Sequence, residues 1–294
     1  MFRPILRIPR ASVPKGVPSL QRRSLHHVPP LSQFNNEEGV PGLLSASGFD
    51  IAWNQRMTML LERLNARVAG TEYESKELKS IILSTARGSN PDDALTFNYA
   101  SAAHNNHFFF KNLTPNPQPM PETLRHALSE SFSSVETLRE QFIIQAEAMF
   151  GPGFIWLVKV RGAAVGDSSP NSFRLLNTYL AGSPYAGAHW RRQEVDRNTK
   201  PGTPESAGPL SGANYPFLRP GGKGEPVQKA SAPGGIEVQP LLCLNTWEHV
   251  WLRDYGLGAG GEGGRAAFAA NWWEVIDWEA VAHEAAVTRP GYLS

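Results

Sequence analysis

Metal ligation is the chemistry this chain's residues come nearest to. Asn245-Thr246-Trp247-Glu248-His249 combines an amide, a carboxylate and an imidazole, donor types that ligate metals. A second imidazole group lies upstream in Ala103-His104-Asn105-Asn106-His107-Phe108, and no histidine occurs between Asn35 and Ala103. Two imidazoles alone make a poor cage, because affinity falls as ligands are removed. His107 and His249 therefore read first as hydrogen-bonded core residues. The alternative is a pairing across an old cavity, with Asn245 as a hydrogen-bond partner. His26, His27 and His104 read as surface or packing residues, and Trp247 as core. Cys243, in the apolar run Pro240-Leu241-Leu242-Cys243-Leu244, reads as a buried, inert thiol. As the single cysteine it excludes an intramolecular disulfide and a cysteine-based zinc cage.

The elements that would position these residues can be read from periodicity. Residues 47–69 carry Phe49, Trp53, Met57, Leu60, Leu61, Leu64 and Val68 at three- and four-residue steps, an amphipathic helix. Further helices are expected over 73–87 and 93–113. The second contains the small run Ala100-Ser101-Ala102-Ala103, which permits close helix approach, and the bulky Phe108-Phe109-Phe110. Pro115, Pro117, Pro119 and Pro121 mark a domain boundary. Ser134 to Met149 is helical in pattern, with Ser134 as N-cap and Gly151 and Gly153 as its stop. Phe154–Val158, Phe173–Leu180 and Pro240–Thr246 read as strands, and Trp273–His283 as a closing helix. Between the last two strands, residues 185–238 are rich in Gly, Pro and Ser and read as a long flexible insertion. Helices first, then helix, strands and helix, is an α+β plan.

The 294 residues carry a net charge of +1 that is unevenly spread. Residues 1–30 hold six bases (Arg3, Arg7, Arg10, Lys15, Arg22, Arg23) and no acid, with Ser12, Ser19 and Ser24 among them. That composition matches a mitochondrial transit peptide better than a secretory signal, and a basic disordered arm is the bland alternative. Residues 1–27 are taken as the presequence. Without the first 30 residues, 22 bases face 27 acids, a net charge of −5, so bulk charge does not make the remainder a nucleic-acid binder. No apolar stretch approaches the ~20 residues of a membrane span, and no membrane association is expected.

Four segments in order resemble iron/manganese superoxide dismutases. They are the helix ending Leu64-Asn65, the block Ala103 to Phe108, the block Phe150-Gly151-Pro152-Gly153-Phe154-Ile155-Trp156-Leu157, and Pro240 to His249 followed by Trp273-Glu274-Val275-Ile276-Asp277-Trp278-Glu279. Together they cover about residues 27–184 and 239–286. The resemblance implies a helical hairpin domain (28–120), then an α/β domain (121–294) with a small antiparallel sheet flanked by helices. It also implies where metal ligands would fall. The three histidine positions are Ala52, His107 and His249, and the aspartate position is Asn245. A neutral amide at 245 is a weaker donor and does not balance the charge of a trivalent ion. The family's glutamine beside the metal-bound solvent falls at Phe150, its gateway His and Tyr at Arg56 and Leu60, and a tryptophan near Lys111. The expectation is a pocket filled by larger or apolar groups, with no catalytic residue and no cofactor. Glu248 and His249 match the pair that joins two subunits in the family, so the dimer surface is expected to outlive the catalysis. A solvated Glu248 at a strand end is the alternative.

These features resemble the degenerate dismutase-like components of the fungal-type mitochondrial small ribosomal subunit. The resemblance implies a non-enzymatic, structural role in the mitochondrial matrix. The implied partners are other small-subunit proteins and a related dismutase-like paralogue, with local rRNA contact through stretches such as Arg191-Arg192. The competing expectations are an active matrix superoxide dismutase and a metal-free scaffold outside the ribosome.

Overall fold

A computed structural model describes residues 26–87, 90–161, 172–185, 188 and 237–286. Residues 1–25 of the expected presequence and most of the expected 185–238 insertion, Arg191 and Arg192 included, lie outside the described residues.

The first amphipathic stretch forms one helical rod in three parts: α1 (Ala46–Phe49), a π-helical turn (Asp50–Gln55) and α2 (Arg56–Val68). Ser45 caps its start, accepting from the Gly48 N–H at 3.0 Å. The rod returns through α3 (Leu78–Arg87) to the long α4 (Asp93–Lys111). Helix α3 starts later than its pattern suggests, because Thr71 to Lys76 are spent on hydrogen-bonded turns.

The small-residue run of α4 lies buried at Ala100, Ser101 and Ala103, where no bulky side chain holds its neighbours away. Its three consecutive phenylalanines then reach three different parts of the fold. Phe110 packs edge-on against Trp53 in the π turn (5.2 Å between ring centroids). Phe108 meets Trp156 of the sheet at 5.3 Å, and Phe109 lies against Phe268 near the C-terminus at 6.3 Å. One continuous core thus runs through both halves of the chain. Each buried aromatic of this kind contributes on the order of 2–3 kcal/mol of burial free energy.

After the proline run come α5 (Glu122–Phe132), which periodicity did not single out, and α6 (Val135–Ala148). Ser134 caps α6, accepting from the Thr137 N–H at 3.0 Å. The sheet follows: β1 (Gly153–Arg161) lies between β2 (Phe173–Tyr179) and β3 (Glu237–Asn245), all antiparallel. A Cβ at Gly153 would run into the Thr178 carbonyl, so glycine is required where β1 enters the sheet. The chain ends in α7 (Glu248–Tyr255), α8 (Gly264–Glu274) and α9 (Trp278–Ala285).

The expected closing helix over 273–283 is in fact two elements. Trp273 belongs to α8; Ile276 then bridges to Leu113, and Asp277 caps α9 through the Ala280 N–H at 3.0 Å. An Asp before an apolar helix start is an N-cap signal, and here it outweighs the apolar continuity of Trp273 to Trp278.

Candidate metal centre

Two of the residues expected at the metal site, Ala52 and Asn245, meet through a residue not counted among them. Ala52 in the π turn, Asn106 in α4 and Asn245 at the end of β3 are all buried. Asn106 Nδ2 donates to the Ala52 carbonyl at 3.0 Å. Asn245 Nδ2 donates to Asn106 Oδ1, also at 3.0 Å. Asn245 Oδ1 in turn accepts from the Trp247 N–H at 3.0 Å.

The ends of this relay fix every amide orientation. A carbonyl can only accept and a backbone N–H can only donate, so both asparagines have one orientation that satisfies all partners. An aspartate at 245 could still accept from Trp247 but could not donate to Asn106. Turning Asn106 over would face its oxygen to the Ala52 carbonyl. The relay therefore excludes the carboxylate that a redox metal would require. In place of a charged ligand the pocket holds neutral, mutually satisfied amides, the arrangement that makes burial of polar groups tolerable.

The two retained imidazoles stand beside this relay and do not join it. His107, next along α4, lies with its ring 5.9 Å from that of Trp53, and burial together with the Lys111 charge lowers its pKa. His249 sits in the first turn of α7, 5.6 Å from the Trp247 ring. Its Nε2 is buried and has no hydrogen-bond partner among the described residues. Burial, helped by the nearby Arg56 charge, drops its pKa from 6.5 to about 3, so it is neutral at physiological pH. Among the described residues no hydrogen bond joins either histidine to Asn245, whose amide engages Asn106 and the Trp247 N–H instead. Among the described residues, no group of three or more His, Cys, Asp or Glu side chains could hold a metal ion.

The filling of the pocket also differs from the expectation. Leu60 is buried in the core, as an apolar replacement should be. Phe150 is not a filler: it is 97% exposed, in the turn between α6 and β1. Gly151 follows it with φ +100°, a conformation that favours glycine and turns the chain so that the phenyl ring leaves the interior. Arg56 stays at the rim, its guanidinium 5.2 Å from the centre of the Trp247 ring. It is half-buried and pairs with no carboxylate among the described residues, and desolvation lowers its pKa. Lys111 lies over Phe108 at 4.2 Å.

His104 is half-buried and packs against Phe108 and Tyr185, as the packing reading has it. Its Nε2 is 2.9 Å from the Tyr185 hydroxyl, and burial lowers its pKa to about 3. Cys243 is buried, and burial raises its thiol pKa well above the usual value. Glu248 is not simply solvated: it lies 3.4 Å from Arg265 Nη2. Arg265 also donates to the carbonyls of Ala146 (3.1 Å) and Met149 (2.6 Å), closing the C-terminal end of α6. The Glu248 turn and the Phe150 turn are thus held together by one guanidinium. Sequence reading missed Arg265 because its partners lie about 117 residues away, at carbonyls that carry no side-chain signal. Asn106 could have been found, since it sits inside the quoted His104–His107 block.

A helical hairpin, a three-stranded antiparallel sheet and closing helices around a pocket without its ligand set define a degenerate iron/manganese superoxide dismutase fold. Residues 225–284 match the C-terminal domain of iron/manganese superoxide dismutases. Over 266 residues the chain is 32% identical to small ribosomal subunit protein mS43 of Schizosaccharomyces pombe, covering 87% of this chain and 82% of that protein. It is 26% identical to small ribosomal subunit protein mS42 of the same organism, over 68% of this chain and 71% of the relative. The iron superoxide dismutase of Escherichia coli is 23% identical over 81% of this chain and 88% of the enzyme. The chain belongs to the family of small ribosomal subunit protein mS43.

Proposed function

We propose that this chain is a structural component of the mitochondrial small ribosomal subunit, in the matrix, and that it performs no dismutase chemistry. The observation that carries the non-enzymatic part is the Ala52–Asn106–Asn245 relay. It is a fully satisfied neutral network in the place where the family's fold would hold a charged metal. The ribosomal part rests on the 32% identity to mS43 over 266 residues, against 23% over 240 residues for the Escherichia coli dismutase. On this reading Ala52, His107, Asn245 and His249 are vestigial ligand positions. Residues 1–27 are a transit peptide, 28–120 a helical hairpin domain and 121–294 the α/β domain.

The chain acts by pairing with a related dismutase-like paralogue through the face that carries Glu248 and His249. Three features favour that face. Arg56 is a half-buried cation without a carboxylate, Phe150 is a fully presented apolar ring, and Arg265 holds the Glu248 turn against the Phe150 turn. A paralogue suits an asymmetric particle better than a second copy, because two identical surfaces would meet different neighbours. Neighbouring small-subunit proteins, with local rRNA contacts, complete the set of partners.

Sucrose-gradient sedimentation of a mitochondrial lysate, with metal analysis of the purified chain, tests this. Co-migration with the small subunit at moderate salt and no stoichiometric iron or manganese is expected. A light peak with one metal per chain would overturn it.

A further inference from the structure

The two edges of the sheet are finished differently. Strand β3 carries Pro240, and its pairing with β1 shifts register between Leu157 and Val158. Its Leu241 carbonyl accepts from Asn112 Nδ2 at 2.9 Å, and the Gln239 amide reaches the Glu284 carbonyl at 2.8 Å. A proline, an irregularity and covering helices are the devices that keep an edge from pairing with another chain. Strand β2 has no proline, and its register with β1 is unbroken from Phe173 to Tyr179.

The outward groups of β2 follow from its pairing. The Ser172 carbonyl accepts from the Val160 N–H, and Leu180 N–H donates to the Pro152 carbonyl. Even-numbered residues therefore exchange bonds with β1, and odd-numbered ones turn their N–H and C=O to the free side. At one end the Phe173 N–H is capped by Ser131 Oγ at 3.2 Å, and at the other the Tyr179 carbonyl is taken by the Gly182 N–H at 2.8 Å. Between them Leu175 and Asn177 each present an N–H and a C=O with no partner among the described residues.

Beside this edge runs a groove of about 800 Å³ between α5, α6 and β2. Its walls include Ser131, Gln141 and Gln145, with Phe132 as an apolar patch and one acid and one base, Glu130 and Arg174. Amides and hydroxyls of this kind match a peptide backbone, and the balanced charge gives no attraction for phosphate.

We propose that the β2 edge is a docking site for an extended segment of a neighbouring protein, added as a fourth strand through Leu175 and Asn177. Main-chain hydrogen bonds supply the binding and the groove receives alternate side chains. The identification of the neighbour as ribosomal rests on the proposed function; the docking itself does not.

The test places the photo-crosslinking residue benzoylphenylalanine at Gln141 of the full chain and irradiates intact mitochondria before lysis. Three versions of the edge are compared: the natural one, Asn177→Thr and Asn177→Pro. Proline removes only an outward donor and leaves the bonds to β1 in place. Thermal unfolding of each purified chain, agreeing within about 2 °C, verifies that the edge alone has changed.

The expected result is an adduct to one contiguous stretch of a single polypeptide, retained in Asn177→Thr and reduced at least tenfold in Asn177→Pro. An adduct to RNA, no polypeptide adduct, or equal yield from Asn177→Pro overturns the proposal. Sedimentation of the same lysates separates the two readings. A single-stretch adduct on a chain that does not travel with the small subunit overturns the ribosomal reading and upholds the edge. Co-migration without an adduct does the reverse.

Discussion

The former metal pocket and its rim, a few residues apart in sequence, have been treated in opposite ways. In the pocket, Asn245 and Asn106 satisfy one another and the backbone at both ends, and every amide atom of the relay has a partner. At the rim, among the described residues, Arg56 has no counter-ion and His249 Nε2 no hydrogen bond, and Phe150 is exposed. Polar groups buried this deeply are compatible with a stable interior only when they pair among themselves. The rim was under no such constraint. Its unpaired groups are tolerable at a surface that a partner covers, and costly otherwise.

The sharpest way to break this contrast is to restore the ligand the pocket has lost. Asn245→Asp removes the donor to Asn106 and puts a carboxylate in a buried position. We expect about 3–5 kcal/mol of destabilisation in urea unfolding, and no stoichiometric iron or manganese by elemental analysis. Unchanged stability, or metal uptake, would mean that the relay does not exclude a carboxylate.

Arg265 connects the two regions, so Arg265→Ala should cost about 2–3 kcal/mol through three lost charge-assisted bonds. The backbone amides of the turn after Met149 should exchange faster with solvent. A loss confined to Glu248, with α6 unaffected, would show that the guanidinium does not hold the two turns together.

A pH titration reads the buried imidazoles. His104 and His249 have folded pKa values lowered from 6.5 to about 3, so the unfolded chain takes up protons first. Stability contributed by their neutral forms is complete above about pH 6.5 and declines as pH falls toward about 3, by up to ~1.4 kcal/mol per pH unit for each histidine. His249→Gln should flatten that slope, and a slope that stays the same would place the titrating group elsewhere. The smallest effect on the free chain is expected at the most exposed site. Phe150→Ser should change unfolding free energy by less than about 0.5 kcal/mol, while reducing recovery of the chain in the small-subunit fraction. Equal recovery would remove Phe150 from the pairing face.

The α+β plan and the three strands are legible in the order of residues alone. These are local facts: period, caps, and short blocks such as Ala103–Phe108 and Pro240–His249. That order also carried the missing carboxylate at 245 and the missing imidazole at 52, because an absent residue type is visible without coordinates.

What stands around those positions follows from long-range packing. The Asn106–Asn245 bond spans 139 positions, and the Arg265 bonds to Ala146 and Met149 join helix and carbonyls that no pattern links. Sequence placed Phe150 at a pocket position, but the left-handed Gly151 after it turned the ring out of the interior. Residue types record which chemistry is available; which donors find which acceptors depends on long-range packing.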